Sequence, residues 1–230
     1  MTVSEAESVS LSPEAARAAQ YFDSLGLEFQ HAFENRKQVQ IRAVERLVGR
    51  LAPGARVLDA GCGTGVPTVA QLCEAGLDVT GIDVSEVMLS HARRQVPRAR
   101  FVRADLTSAH LDIGTFDAVV SFFCLIDLPE ETFVAALERL RDLAVPGGRV
   151  LVAVPEYRSE DEVDFVGERY RPVLCRREEV IAWAGRAGLE VEGLEVCQDR
   201  GAQGQSETGL YLWARRPASS GLPTDAPARP

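Results

Sequence analysis

Apolar and polar positions along this chain alternate between two periods. Short apolar runs at Arg56–Asp59, Asp78–Asp83, Arg100–Ala104, Phe116–Ser121 and Arg149–Val154 read as strands. Between them, apolar residues return at helical spacing over Pro67–Glu74, Ser85–Gln95 and Glu130–Ala144. In the last of these, Phe133, Leu137, Leu140 and Ala144 share a face. Gly76, Pro97 and Pro146-Gly147-Gly148 close the helices. Strands alternating with helices at this interval predict βαβ units and a parallel sheet with right-handed crossovers.

The two ends of the chain differ. Upstream, an Ala-rich helix is predicted over Pro13–Gln20, with Ser12 as N-cap and Pro13 in the first turn. A second helix, Glu34–Arg50, carries Ile41, Val44, Val48 and Leu51 on one face and ends at Pro53-Gly54. Downstream, Pro155–Pro172 is polar and charged with no clean period. A helix over Arg177–Ala187 stops at Gly188, and strands Leu189–Val196 and Leu210–Arg215 follow with no helix between them. They predict an antiparallel hairpin on the sheet edge. The fold class is α/β: a Rossmann-like open sheet, mostly parallel with an antiparallel edge hairpin, helices on both faces and an N-terminal helical cap. Residues 1–12 and 218–230 are polar or rich in Pro, Ser and Ala and are expected to be disordered, leaving residues 13–217 as one domain.

Composition narrows the class. The chain has 230 residues, 46% hydrophobic and 26% charged, as expected of a single soluble globular domain. Apolar runs stay well short of the roughly 18–20 residues that span a bilayer, and the N-terminus reads as no signal peptide. Five cysteines and three histidines are scattered without C-x-x-C spacing, which predicts reduced thiols, no metal site and a cytoplasmic location. A net charge of −9 argues against a nucleic-acid partner. Nothing indicates a membrane partner, and the sequence assigns no oligomeric state.

The most informative stretch is Val57-Leu58-Asp59-Ala60-Gly61-Cys62-Gly63-Thr64-Gly65, a strand that runs through an acid into a glycine-rich turn. Such a turn lets a ligand lie against bare backbone. Asp59 disfavours a pyrophosphate, since like charges about 4 Å apart cost roughly 4 kcal/mol at an effective dielectric near 20. The spacing is G-x-G-x-G, and Val66 stands where the dinucleotide fingerprint has its third small residue. A nicotinamide oxidoreductase is therefore disfavoured, and a cationic cofactor such as S-adenosylmethionine is favoured. Asp83 and Asp105 end the next two predicted strands, one βα unit apart, so three carboxylates line the sheet edge where open α/β folds bind ligands. Asp59 suits the cationic end of the cofactor, and Asp83 suits a ribose diol through charge-assisted bonds. Asp105 suits an adenine amino group, with Leu106 in apolar contact.

These motifs resemble class I S-adenosylmethionine-dependent methyltransferases of the small-molecule type. The resemblance rests on Val57–Gly65, Gly81–Ser85 with Met88, Phe101–Leu106, Phe116–Ser121 and Pro146–Val150, in the family's order, and on the last strand Leu210–Arg216. It implies that Gly61, Gly63, Asp83, Val84 and Asp105 contact the cofactor, and that Met88 packs against adenine or ribose. It places Ser121 and Phe122 near the methionine moiety. Tyr21 resembles an aromatic that closes over the cofactor, and equally suits a core position in the cap. The product would be S-adenosylhomocysteine. A protein that binds the cofactor without methylating, as a cyclase or regulatory module, has the same motifs.

Methyl transfer needs alignment and exclusion of water, and a base only if the acceptor loses a proton near the rate-limiting step. Base candidates are His31, Asp127, Glu156 and Tyr157. Asp127 stands where many relatives have the second of two histidines, and it also suits a cap for the helix beginning near Glu130. His31 also suits a core or surface position. Segments Gly26–Lys37 and Glu156–Pro172 are expected to wall the acceptor pocket. Their aromatics, Phe29, Phe33, Tyr157, Phe165 and Tyr170, suit a small apolar or aromatic acceptor with an O, N or C nucleophile.

Overall fold

The computed structural model describes residues 11–33, 37–108, 111–159, 161–200 and 205–218. The readings of disorder at 1–10 and 219–230 and the predicted helix start at Glu34 lie outside those residues. Three helices open the chain: α1 (Pro13–Leu25), α2 (Leu27–Ala32) and α3 (Lys37–Val48). Ser12 caps α1, its Oγ accepting from Ala15 N at 3.1 Å. The helix runs on past Gln20 to Gly26, and α2 lies in a stretch without a sequence-predicted element.

A seven-stranded sheet follows in the order β3-β2-β1-β4-β5-β9-β8. Strands β1 (Arg56–Ala60), β2 (Asp78–Asp83), β3 (Arg100–Arg103), β4 (Phe116–Phe122) and β5 (Ala144–Pro155) are parallel. Helix α4 (Thr68–Glu74) joins β1 to β2, α5 (Glu86–Gln95) joins β2 to β3 and α6 (Glu130–Leu143) joins β4 to β5. After α7 (Arg177–Arg186), β8 (Glu190–Arg200) and β9 (Ser206–Arg215) pair antiparallel, and β9 slots between β5 and β8. The predicted edge hairpin and mixed sheet are thus present. β5 begins earlier than expected, at Ala144, with a register shift opposite Phe116/Ala118.

One element was not legible as a period. Val163–Phe165 (β6) and Glu168–Tyr170 (β7) form a separate hairpin with Phe165 opposite Glu168. The two-residue loop Val166-Gly167 has φ of +52° and +88°, the backbone that matches the twist of a tight hairpin.

The apolar residues pack in two layers, one on each face of the sheet. One face buries Leu58, Ile82, Val119, Val150 and Val152 against α6 and α7, where Phe133 and Trp183 stack with centroids 5.0 Å apart. The other buries Val57, Val79, Val120 and Leu151 with Leu47 of α3 and Leu72 of α4. Strand side chains alternate between these layers, so the strand ends are left to carry chemistry.

Candidate active site

The C-terminal edge of the sheet opens into a cavity of about 510 Å³. Its floor is the turn after β1 and Phe122-Phe123 at the end of β4; its walls are Phe29 of α2 and its C-cap Phe33, Pro155–Tyr157, and Val163–Phe165 of β6. The N–H groups of Gly61 and Cys62 donate to Ile82 O at 2.8 and 2.9 Å, which fixes the turn on β2. Gly61 and Gly63 both line the cavity with positive φ, +80° and +52°. Their surroundings differ. A Cβ on Gly63 would meet no atom within 4 Å, so its bare face borders open space. A Cβ on Gly61 would lie 2.4 Å from Cys124 Sγ, so the Cys124 side chain fills that position.

The three acids stand at one sheet edge, in three different states. Asp59 is 3% exposed and lines the cavity, with no hydrogen bond to its carboxylate among the described residues. Burial, reinforced by the Asp83 charge, pushes it up to about 8. Asp83 accepts from Gly63 N at 2.8 Å and Ser85 N at 2.9 Å, and so ties the glycine turn to the start of α5. Burial raises its pKa, against those bonds. Asp105 accepts from Ser12 N at 3.0 Å and from Thr107 N and Oγ1 at 2.8 and 2.6 Å. Burial opposes the charge, but the Thr107 and Ser12 donors outweigh it and lower the pKa. The acid read as an adenine partner thus holds the start of α1.

Of the other sequence-assigned residues, Phe122, Phe29, Phe33 and Tyr157 join Asp59, Gly61 and Gly63 on the cavity wall. Met88 and Leu106 are buried outside it, and Ser121 Oγ donates to Ala60 O at 3.0 Å beneath the floor. Half-buried Val84 offers its carbonyl to Arg103 Nε at 2.9 Å. Tyr21 ties the helical cap to the hairpin, its hydroxyl 3.4 Å from Phe165 O. Beside it Phe29, Phe33 and Phe165 cluster with centroids 5.0–6.2 Å apart. Phe165, expected on the pocket wall, lines the cavity and Tyr170 does not; Phe123, Ile126 and Gln40 line it without having been assigned there from the sequence.

The base candidates separate. His31 is exposed on α2 and does not line the cavity. Glu156 lines it, but its side chain is 2% exposed and accepts from Arg177 Nε and Nη2 at 2.8 and 2.7 Å. The Arg177 bonds hold its carboxyl below the ordinary range. Asp127 does not cap α6, contrary to the sequence reading. Pro129 occupies the N-cap with no side-chain bond, and Asp127 Oδ1 accepts from Val173 N at 3.2 Å. The left-handed backbone at Asp127, φ +56°, turns the side chain toward that segment instead.

Residues 57–148 match the family model described as a methyltransferase domain. Over that segment the chain resembles methyltransferases. It is 39% identical over 101 residues to the demethylmenaquinone methyltransferase of Beutenbergia cavernae, covering 44% of this chain and 41% of that protein. It is 33% identical over 153 residues to the ribosomal protein L11 methyltransferase of Burkholderia thailandensis, covering 65% and 48%. The chain thus spans about half the length of the curated relatives it matches. Among solved structures, the [4+2]-cyclase SpnF superposes with a TM-score of 0.69, at 22% identity, over 92% of this chain and 100% of that one. Among the described residues, no cluster of His, Cys, Asp or Glu has the arrangement of a metal site, and no helix is long and apolar enough to cross a membrane.

Proposed function

We propose that this chain binds S-adenosylmethionine in the crevice after β1 and transfers its methyl group to a small apolar or aromatic acceptor. The observation that carries the reading is Asp59: a buried carboxylate with no internal donor, facing the cavity beside the open face of Gly63. A cation against it would favour its ionised form, and an ammonium or sulfonium supplies one where a pyrophosphate does not. Asp83 suits the ribose diol. Its two backbone donors fix the carboxylate, and each oxygen keeps a lone pair for a hydroxyl.

The cofactor supplies an activated methyl group on sulfur. The protein's part is to align the acceptor and keep water out. Phe29, Phe33 and Phe165 form an apolar roof suited to that task, joined to the cap and the hairpin. Their enclosure and the net charge of −9 favour a small molecule over a nucleic acid. We place the work in the cytoplasm and treat residues 13–217 as its unit.

The likeness to a [4+2]-cyclase favours one second reading, in which the cofactor is bound but its methyl group is not transferred. Calorimetry with S-adenosylmethionine, followed by transfer of its labelled methyl group to small aromatic acceptors, peptides and RNA, separates the readings. Binding with labelled small products supports methyl transfer. Binding without any labelled product supports the second reading, label only in peptides or RNA overturns the acceptor class, and NAD(H) binding alone overturns the cofactor.

A further inference from the structure

Tyr157 stands on the cavity wall, held there by a two-way backbone bridge with Cys175: Tyr157 N to Cys175 O at 3.0 Å and Cys175 N to Tyr157 O at 2.9 Å. Its hydroxyl lies 3.4 Å from the hydroxyl of Tyr170. Tyr170 sits in β7 opposite Val163, on the hairpin whose other strand walls the same cavity. The Tyr170 hydroxyl and the Asp127 carboxylate are near enough to act on each other's titration, lowering the acid and raising the phenol. Asp127 is exposed, so the chain of groups starts at the cavity and ends at water. Its end is held in place: Val173 N donates to Asp127 Oδ1, and the loop after β4 takes a left-handed backbone at both Phe123 and Asp127, φ +55° and +56°. Non-glycine residues persist in that conformation only where their surroundings fix it.

We propose that Tyr157, Tyr170 and Asp127 form a proton relay for a hydroxyl acceptor, so that the reaction is O-methylation of a phenol or enol. The proposal rests on the methyl-transfer reading and adds the acceptor atom and the route of its proton. An amine attacks through a neutral lone pair and sheds its proton afterwards. A hydroxyl gains from losing its proton as the new bond forms, and a relay ending in a carboxylate meets that need. The acceptor oxygen's electron pair forms the O–CH3 bond, and the methyl–sulfur bond breaks, leaving its pair on a neutral thioether. The acceptor proton passes to Tyr157, the Tyr157 proton to Tyr170, and the Tyr170 proton to Asp127. One sulfonium charge and one carboxylate charge disappear together, and Asp127 then returns its proton to water.

The surroundings agree with that direction. Burial pushes Tyr170 well above the ordinary phenol range, so it conducts as a neutral hydroxyl. Partial desolvation also raises Asp127, against the influence of Tyr170 and the bond from Val173 N. The ionisable groups facing Asp127 are Tyr170 from the hairpin and Cys175 from the segment before α7, with Glu156 and Glu179 beyond that thiol.

The test uses the full chain, S-adenosylmethionine labelled in its methyl group, and a panel of phenols matched with anilines. Label is expected in methyl ethers. Asp127→Asn and Tyr170→Phe, both close in shape to the native residues, are expected to lower kcat by about 100-fold, with acceptor KM and calorimetric cofactor affinity unchanged. The wild-type rate falls as Asp127 protonates at low pH, and Asp127→Asn loses that acid limb. Label confined to anilines overturns the proposal, as does an unchanged kcat and pH profile in both variants. If no panel member is labelled, 4-nitrophenol binding is read by absorbance in the presence of S-adenosylhomocysteine. Bound phenolate in the wild type that reverts to phenol in Asp127→Asn supports the relay; no binding, or the same spectrum in both, overturns it. Absence of cofactor binding in the calorimeter overturns the underlying reading instead.

Discussion

Burial beside Asp83 leaves Asp59 largely protonated near neutral pH, since its pKa stands at about 8. A cation placed against it stabilises the carboxylate, so binding must expel a proton. Calorimetry at pH 7 in buffers of different ionisation enthalpy should show proton release on S-adenosylmethionine binding. The release should fade above about pH 8, where the carboxyl is already ionised, and affinity should rise with pH up to that point. The same group acts on folding with a definite sign. Its folded pKa exceeds the ordinary 3.8, so its contribution is fully present below that value and lost as pH rises through about 8. Asp59→Asn should flatten that decline while weakening the cofactor. Asp83 works through geometry instead. Asp83→Ala removes a charged acceptor, which should cost roughly 1.5–3 kcal/mol of cofactor affinity by calorimetry; unchanged affinity would rule out a ribose role.

At the scale of elements, the N-terminal cap is fastened to the sheet edge by polar contacts. Ser12 donates to Asp105, and Asp23 accepts from both Ser85 Oγ and Val87 N. Ser85 also caps α5 by accepting from Met88 N at 3.0 Å. Ser85→Ala removes an N-cap and a tie to α1 at once and should cost about 1–2 kcal/mol in urea unfolding, with faster amide exchange in α1. The βαβ core was legible because buried strands and one-sided helices leave strict periods in the sequence. The glycine turn and its acids were legible because strand ends follow from those periods. Residues outside any period were not. The β6–β7 hairpin is only half-buried, so its alternation is short; Phe165 was expected on the pocket wall, but the strand that carries it was not. Likewise, Asp127 was read as a local cap, yet its partners Val173 and Tyr170 lie in a segment the local sequence does not connect to it.

At the scale of the whole molecule, the floor of the site depends on the last strand. Tyr211 of β9 is fully buried between β5 and β8, and its ring lies 6.2 Å from Phe122 and 6.1 Å from Phe123. Those two residues line the cavity. Tyr211→Ala should destabilise the fold by about 3–5 kcal/mol in thermal unfolding and should weaken acceptor binding more than cofactor binding, because the cavity loses support on the acceptor side. Trp213, two residues on, is covered by Arg46 and Arg50, each within 5 Å of its ring (4.5 and 4.8 Å). The same strand therefore also anchors α3 and its flank to the same face of the sheet.

The contact between Gly61 and Cys124 constrains how this sequence can change. The two positions share one volume, because the thiol stands where a side chain on the glycine would begin. A larger residue at 61 has no place until 124 becomes smaller, so the order of substitutions matters: the route through 124 passes by way of a folded protein, and the route through 61 begins with a collision. Even on the open route, a side chain at 61 must adopt the left-handed backbone of φ +80°. The freedom gained at 124 is thus unusable at 61, and a cavity beside the cofactor turn would be the lasting result.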